Sequence, residues 1–373
     1  MFEEITNFEH LYESMNKCRK GVGWKDSTMS FTLNGIERTL NLEKKLNDGT
    51  YQPRPIKAFK ITNPKPRDII SIAFVDRVYQ RSLNDNALYP IMSKSFIYDN
   101  WACQKGKGTL GCRDRLKEFL HSFYRKHGTS GYCLQCDIRG YYPNMSHEAT
   151  EALFREKLPP DIAEAAIAVL RGQYSGDKGY NPGSQMIQIA GISMLDKLDH
   201  YIKEQLHIRY YLRYMDDFIL VHEDKAYLEM CRQKIREQLA TISFELNEDK
   251  TRVFPLTNGI MFLGFNFALK GTGKVVVSID PKRVKAERKK LYRLVAKSKR
   301  GEMPKSSVDD SYQSWREYAS YGNSYRLITR MDKYYYGLWR GDNVQNQNRD
   351  QGTAQNRTVG GPAGRGEPAQ RRP

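Results

Sequence analysis

Three aspartates carry the chemistry that this sequence offers. Asp216 and Asp217 are adjacent in YLRYMDDFILV, and Asp137 closes the run YCLQCDI. Carboxylates are hard oxygen ligands, and Mg2+ favours a few of them together with phosphate oxygens. Acids projecting from neighbouring strands could share two divalent cations about 3.5–4 Å apart, which activates a hydroxyl nucleophile and stabilises a pyrophosphate leaving group. An acid pair between two apolar strands also suits an ordinary solvated hairpin turn. The upstream Asp137 shifts the balance toward metal-assisted phosphoryl chemistry.

Two cysteines spaced CxxC, Cys133 and Cys136, precede Asp137. On a strand they are three apart and face opposite sides of the sheet, so they cannot jointly chelate one Zn2+. No second CxxC or nearby HxxxH completes four ligands. Both read as small packing residues.

The elements that must position the acids follow from patterning. GYCLQCDI is a strand candidate, and RYYLRYMDDFILVHE reads as two strands around a turn, with Phe218 to Val221 as a buried apolar run. Residues 1–50 read as helical. Residues 51–80 read as a hairpin, IKAFKI and RDIISIAF around the turn TNPKP, with helical VDRVYQRSLNDNALYPIM after it. SHEATEALFREKL is a helix with Ser146 as N-cap, and AEAAIAVLRGQY is a second. From about residue 281 the chain is helical and basic. Val284, Arg288, Leu291 and Val295 would form a partly apolar stripe, with Lys282, Lys285, Lys289, Lys290 and Arg293 covering the rest. The segment from Gly341 is rich in Gly, Asn, Gln and Arg, a composition expected to be disordered.

The chain has 373 residues, enough for two or three subdomains, and a formal net charge of +17. That surplus points to a polyanionic partner, nucleic acid before an anionic membrane surface. No apolar run reaches membrane-spanning length, and the acidic start MFEEITNFEH is unlike a secretory signal. Six scattered cysteines fit a reducing cytoplasm better than a disulfide framework.

With these segments in place a resemblance emerges. YMDD at Tyr214–Asp217, with Asp137 upstream, resembles the palm of reverse transcriptases. In order, PKPRDIISIAFVDRVYQ resembles the fingers motif of the bacterial enzymes, and QKGKGT (Gln104–Thr109) the template-contacting segment after it. GYNPGSQMIQ (Gly179–Gln188) resembles the motif GxxxGxxxxQ, LNEDKT the segment carrying a lysine near the triphosphate, and FLGF (Phe262–Phe265) the primer grip. The resemblance covers about residues 36–340.

The resemblance implies an α+β right-hand polymerase. N-terminal helices and fingers would occupy residues 1–130, an antiparallel palm with packed helices 131–270, a helical thumb 271–340 and a tail 341–373. It implies catalysis by Asp137, Asp216 and Asp217, with two Mg2+ (or Mn2+) held by these acids and Ile138. Tyr142 would gate against a 2′-hydroxyl, Lys65 and Arg67 would neutralise the triphosphate, and Gln188 would line the nucleotide pocket. Lys250 would donate a proton to pyrophosphate. Implied partners are an RNA template, a DNA or RNA primer, dNTPs, a non-coding RNA, and an accessory protein or second copy, with no membrane. Where group II intron maturases usually carry PQGG this chain has NPGSQ, and Ile187 replaces the Ser that diversity-generating enzymes show before the Gln. Compact retron, diversity-generating and phage-defence enzymes therefore remain the reference groups. Template- or primer-independent synthesis, or a nucleic-acid-binding scaffold with a decayed site, are the alternatives.

Overall fold

The computed structural model describes residues 2–61 and 67–341. The expected disorder of the tail beyond Gly341 lies outside the described residues. The chain divides into two compact units. The first holds residues 1–263 and 267–275, the second 264–266 and 276 onward. The architecture is α+β.

The first unit is organised around β3 (Tyr132–Asp137), where the adjacent Cys133 and Leu134 are fully buried on opposite faces and Cys136 is buried as well. An antiparallel hairpin, β1 (Lys57–Ile61) and β2 (Arg67–Ser71), precedes it, with Lys57 opposite Ser71 and Ile61 opposite Arg67. After β3 come β4 (Tyr210–Tyr214), β5 (Asp217–His222) and β6 (Arg252–Pro255). The four form one sheet in the order β4-β5-β3-β6, and each pairing is antiparallel. A further sheet, β7 (Ile260–Phe262), β8 (Phe265–Leu269) and β9 (Val275–Ile279), lies where the chain passes from one unit to the next.

Helices Phe8–Arg19 and Gly35–Asn47 pack together, and the former also packs on Phe74–Leu83. Helix Thr109–His127 lies on β4, and Lys225–Ala240 on β3 and β5. Their ends follow from capping. Ser146 accepts from the Ala149 amide at 3.2 Å to start His147–Lys157. Asp224 accepts from the Ala226 and Tyr227 amides to start Lys225–Ala240. Gly131, entering β3, faces the Phe123 ring so closely that a Cβ there would sit 2.2 Å from it. Any larger residue would force the buried Phe123 ring to move.

Cys133 and Cys136 are fully buried, and none of the six cysteines is in a disulfide. Burial pushes both thiols well up, which leaves them protonated packing groups. No helix among the described residues is long and apolar enough to cross a membrane.

The second unit contains helices Pro281–Lys299, Lys305–Ser320 and Tyr325–Arg340, the first packed on both others. The expected stripe is covered in part, and Glu287 joins it. The first helix buries Glu287, Leu291 and Val295, while Val284 and Arg288 are only half-buried. Glu287 tolerates the position because Lys290 pairs with it at 3.3 Å, and Arg288 lies over the Tyr334 ring at 4.3 Å. The aromatic residues that follow serve packing. Tyr312 stacks on Tyr335 at 4.3 Å, and Trp315 is buried.

The cysteine assignment makes a prediction. Replacing Cys133 or Cys136 by Ser should destabilise the fold more than replacement by Ala, by about 1–3 kcal/mol, because a hydroxyl would be buried without a partner. Denaturant unfolding midpoints measure this, and a chelator should leave them unchanged.

Candidate active site

β3 and β5 pair with Asp137 opposite Asp217 and Cys136 opposite Phe218. Directly opposed residues share a sheet face, so these two carboxylates leave the sheet side by side. Asp216 and Met215 form the two-residue loop joining β4 to β5, where Tyr214 pairs with Asp217. Met215 adopts φ +57°, in the left-handed region that such a loop normally fills with Gly, Asn or Asp.

The three acids repel one another. Burial raises the Asp217 carboxyl to about 7, with the Asp216 and Asp137 charges adding to the effect. The Gln135 amide, 3.5 Å from Asp217 Oδ1, opposes it. Asp216 is also raised, first by burial and then by Asp137, against the pull of Lys250 and Arg213. Asp137 has found a counter-charge. Lys250 Nζ lies 2.9 Å from each of its oxygens, and Asn247 Nδ2 donates to Oδ2 at 3.1 Å. The Asn247 amide also donates to the Asp137 carbonyl at 2.7 Å, which fixes the LNEDKT turn against the end of β3.

Of the expected ligands Asp137, Ile138, Asp216 and Asp217, Asp137 is turned onto Lys250. Among the described residues no group of three or more His, Cys, Asp or Glu side chains is arranged to hold a metal ion. Ile138 has its side chain in the core and pairs through its backbone with Leu246, so only its carbonyl could serve a cation. The donor chemistry nonetheless suits a hard divalent ion: three carboxylates, two of them raised first by burial and further by their acidic neighbours.

Tyr142 lies in the short helix Tyr141–Asn144, which follows Gly140 at φ +53°. Its hydroxyl is 4.0 Å from Met215 Sδ, and its ring lies against Gly191 so closely that a Cβ there would be 3.2 Å away. The structure thus brings Tyr142 to the loop bearing Asp216. Gln188, on helix Gln185–Met194, donates to the Pro182 carbonyl at 2.9 Å. Arg67 is the first residue of β2, but its side chain, like the whole of Lys65, lies outside the described residues. In QKGKGT, Lys107 donates to the carbonyls of Tyr98 and Asn100 at 2.6 and 2.9 Å, which commits its ammonium to the backbone.

Sequence reasoning missed three partners. Gln135 stands two before Asp137 on β3, hence on the same face, and strand alternation alone would have found it. Asn247 sits within LNEDKT, three before the lysine already singled out. Arg213, fully buried in β4, pairs with Asp199. Its only sequence signal is a charge among apolar strand residues.

A four-stranded antiparallel sheet carrying acids at the end of one strand and in the adjoining hairpin has the arrangement of a palm domain. The chain belongs to the family described as reverse transcriptase (RNA-dependent DNA polymerase), which it matches over residues 60–267. Similar solved structures include telomerase from Candida albicans with a fragment of telomeric RNA, at 13% identity and TM-score 0.48, covering 66% of this chain and 52% of that one. Apo telomerase from Candida tropicalis is another, at 15% identity and TM-score 0.45, covering 60% and 48%. The chain thus spans about half the length of these structures. Among curated proteins none matches the chain.

The raised Asp217 sets a pH dependence. Its folded value, about 7, exceeds the ordinary 3.8, so the unfolded chain gives up this proton more readily than the folded one. In metal-free buffer its contribution to stability should fall as pH rises from about 4 to about 7. Asp217→Asn removes that contribution and should gain on the parent between about pH 4.5 and about pH 8, as read by denaturant unfolding.

Proposed function

We propose that the chain is an RNA-directed DNA polymerase that adds deoxynucleotides to a primer 3′-hydroxyl. The observation that carries this reading is the placement of Asp137 beside Asp217, with Asp216 in the adjoining loop, inside the segment that matches the family. Asp137 and Asp216 would hold two Mg2+ ions, with Asp217 and the Ile138 carbonyl in support. Mn2+ would serve in their place. Bound there, divalent ions supply Lewis acidity that activates the hydroxyl and neutralises the departing pyrophosphate.

The chain's own residues have the remaining tasks. Tyr142, backed by Gly191 and beside Met215, would exclude a ribose 2′-hydroxyl. Lys65 and Arg67, on and before β2, would bind the triphosphate, since phosphoryl transfer needs positioning and charge neutralisation more than covalent help. Lys250 would leave Asp137 and hand a proton to pyrophosphate. Gln188 would turn from Pro182 to line the nucleotide pocket. The exposed Lys282, Lys285, Lys289 and Arg293 of the second unit would track the phosphates of the template–primer duplex. The order of motifs around GYNPGSQMIQ supports a compact bacterial or phage enzyme of the retron, diversity-generating or defence kind.

On a primed RNA template with dNTPs and Mg2+, the parent should extend the primer. The double variant Asp216→Ala, Asp217→Ala should not, while keeping its fold by circular dichroism. Extension by the double variant would sink the reading. Tyr142→Ala should raise incorporation of NTP relative to dNTP by roughly tenfold or more, the scale of a steric filter worth about 1.4 kcal/mol. Sequencing the RNA that copurifies with the protein, and the DNA made on it, tests the subgroup.

A further inference from the structure

Arg213 stands one residue before the Tyr-Met-Asp-Asp turn and has no exposure to solvent. A buried guanidinium is costly unless its donors are matched. Here four of its five N–H groups have acceptors. Nε donates to Asp199 Oδ1 at 2.7 Å and Nη2 to Asp199 Oδ2 at 2.5 Å, a two-pronged pair with an acid that is also fully buried. Nη2 also donates to the Ile192 carbonyl at 3.0 Å, and Nη1 to the Met215 carbonyl at 2.9 Å. Tyr211 adds its hydroxyl to Asp199 Oδ1. The backbone of Arg213 is held as well: its amide donates to the Asp99 carbonyl at 3.0 Å, and its carbonyl accepts from the Trp101 amide at 2.9 Å.

The bond to Met215 is the informative one. Met215 has the left-handed backbone conformation, unfavourable for a side chain of its kind, and the next residue is Asp216. Its carbonyl belongs to the peptide that links Met215 to Asp216. A donor fixed in the core by Asp199 and Ile192 therefore sets the orientation of that peptide, and with it the direction in which Asp216 leaves the loop. A nearby pair provides a contrast: Lys157 binds Asp196 at 2.5 Å, on the same helix as Asp199, and gives its other hydrogen bond to the Ser95 hydroxyl.

We infer that Arg213, clamped by Asp199, is a positioning residue that holds the Met215–Asp216 peptide in the geometry nucleotide transfer requires. The inference rests on the polymerase reading for its catalytic consequence, and on the hydrogen bond to Met215 for its structural one. Lysine at 213 keeps the charge and can keep the Asp199 pair, but lacks the planar fork that reaches both Asp199 and Met215.

The test compares Arg213→Lys with Lys157→Met in primer extension, alongside thermal melting and primer–template affinity. Arg213→Lys should lower kcat at least tenfold, with KM for dNTP and nucleic-acid affinity within threefold of the parent. Lys157→Met should lower the melting temperature and leave kcat within twofold. A folded Arg213→Lys with kcat within twofold of the parent overturns the inference, as does an equal loss of kcat in Lys157→Met. Should Arg213→Lys not fold, the neutral pair Arg213→Gln with Asp199→Asn replaces it under the same two outcomes. Should the parent itself incorporate no dNTP, the polymerase reading fails, and hydrogen exchange decides the rest. Exchange at the amides of 215–218 at least tenfold faster in Arg213→Lys, but not in Lys157→Met, supports the positioning role, and equal rates overturn it.

Discussion

The register of β3 against β5 is the constraint on which the site depends. Side chains alternate along a strand, so a slip of one residue would move Asp137 to the opposite face from Asp217 and carry the whole apolar set with it. The pairing resists such a slip because its interior is dry. Cys133 faces Val221, Leu134 faces Leu220 and Cys136 faces Phe218, all essentially without exposure. The cysteines beside the acid therefore serve the site through volume and apolarity. A sheet able to slide would have no fixed place for its carboxylates.

Around that apolar interior the first unit carries an unusual amount of buried polarity, and each node joins segments far apart in sequence. Gln80 donates to Gln173 and accepts from Ser184, each at 2.8 Å, which ties helix Phe74–Leu83 to the segment that begins helix Gln185–Met194. Asp76 accepts from the Tyr51 hydroxyl and the Arg54 amide, and so anchors the approach to β1. Asp196 and Asp199, one turn apart on one short helix, take Lys157 and Arg213. Buried pairs of this kind add little net stability compared with well-packed apolar residues, but breaking one leaves an uncompensated charge. Each such node favours a single arrangement of the elements that surround the acids.

Much of this was legible in the residues. Strand alternation and the apolar run after Asp217 located the hairpin, and the hydroxyl of Ser146 located a helix start. The family resemblance added order to motifs that are weak one by one. What escaped was long-range. Nothing in the vicinity of Arg213 says that its partner lies fourteen residues earlier on a helix, because ion pairing in a core depends on tertiary approach. The burial of Glu287 on helix Pro281–Lys299 escaped for a similar reason: an acid goes under only where the packing around it and the Lys290 ammonium allow it. The state of Asp137 could not be read either, since LNEDKT is more than a hundred residues downstream and reaches the acid only through the fold.

The ion pair between Asp137 and Lys250 has a consequence for loading. A carboxylate already gripping an ammonium with both oxygens takes up a divalent ion only by exchange, so the observed affinity is a difference between two attractions. An ammonium so displaced would stay close, because its turn is tethered to β3 through Asn247. It would then be a free positive charge beside the cation, available to an anion such as a triphosphate. Uptake of the cation and of the anion would then be linked with the same sign, each easing the other, through a single side chain that changes partners.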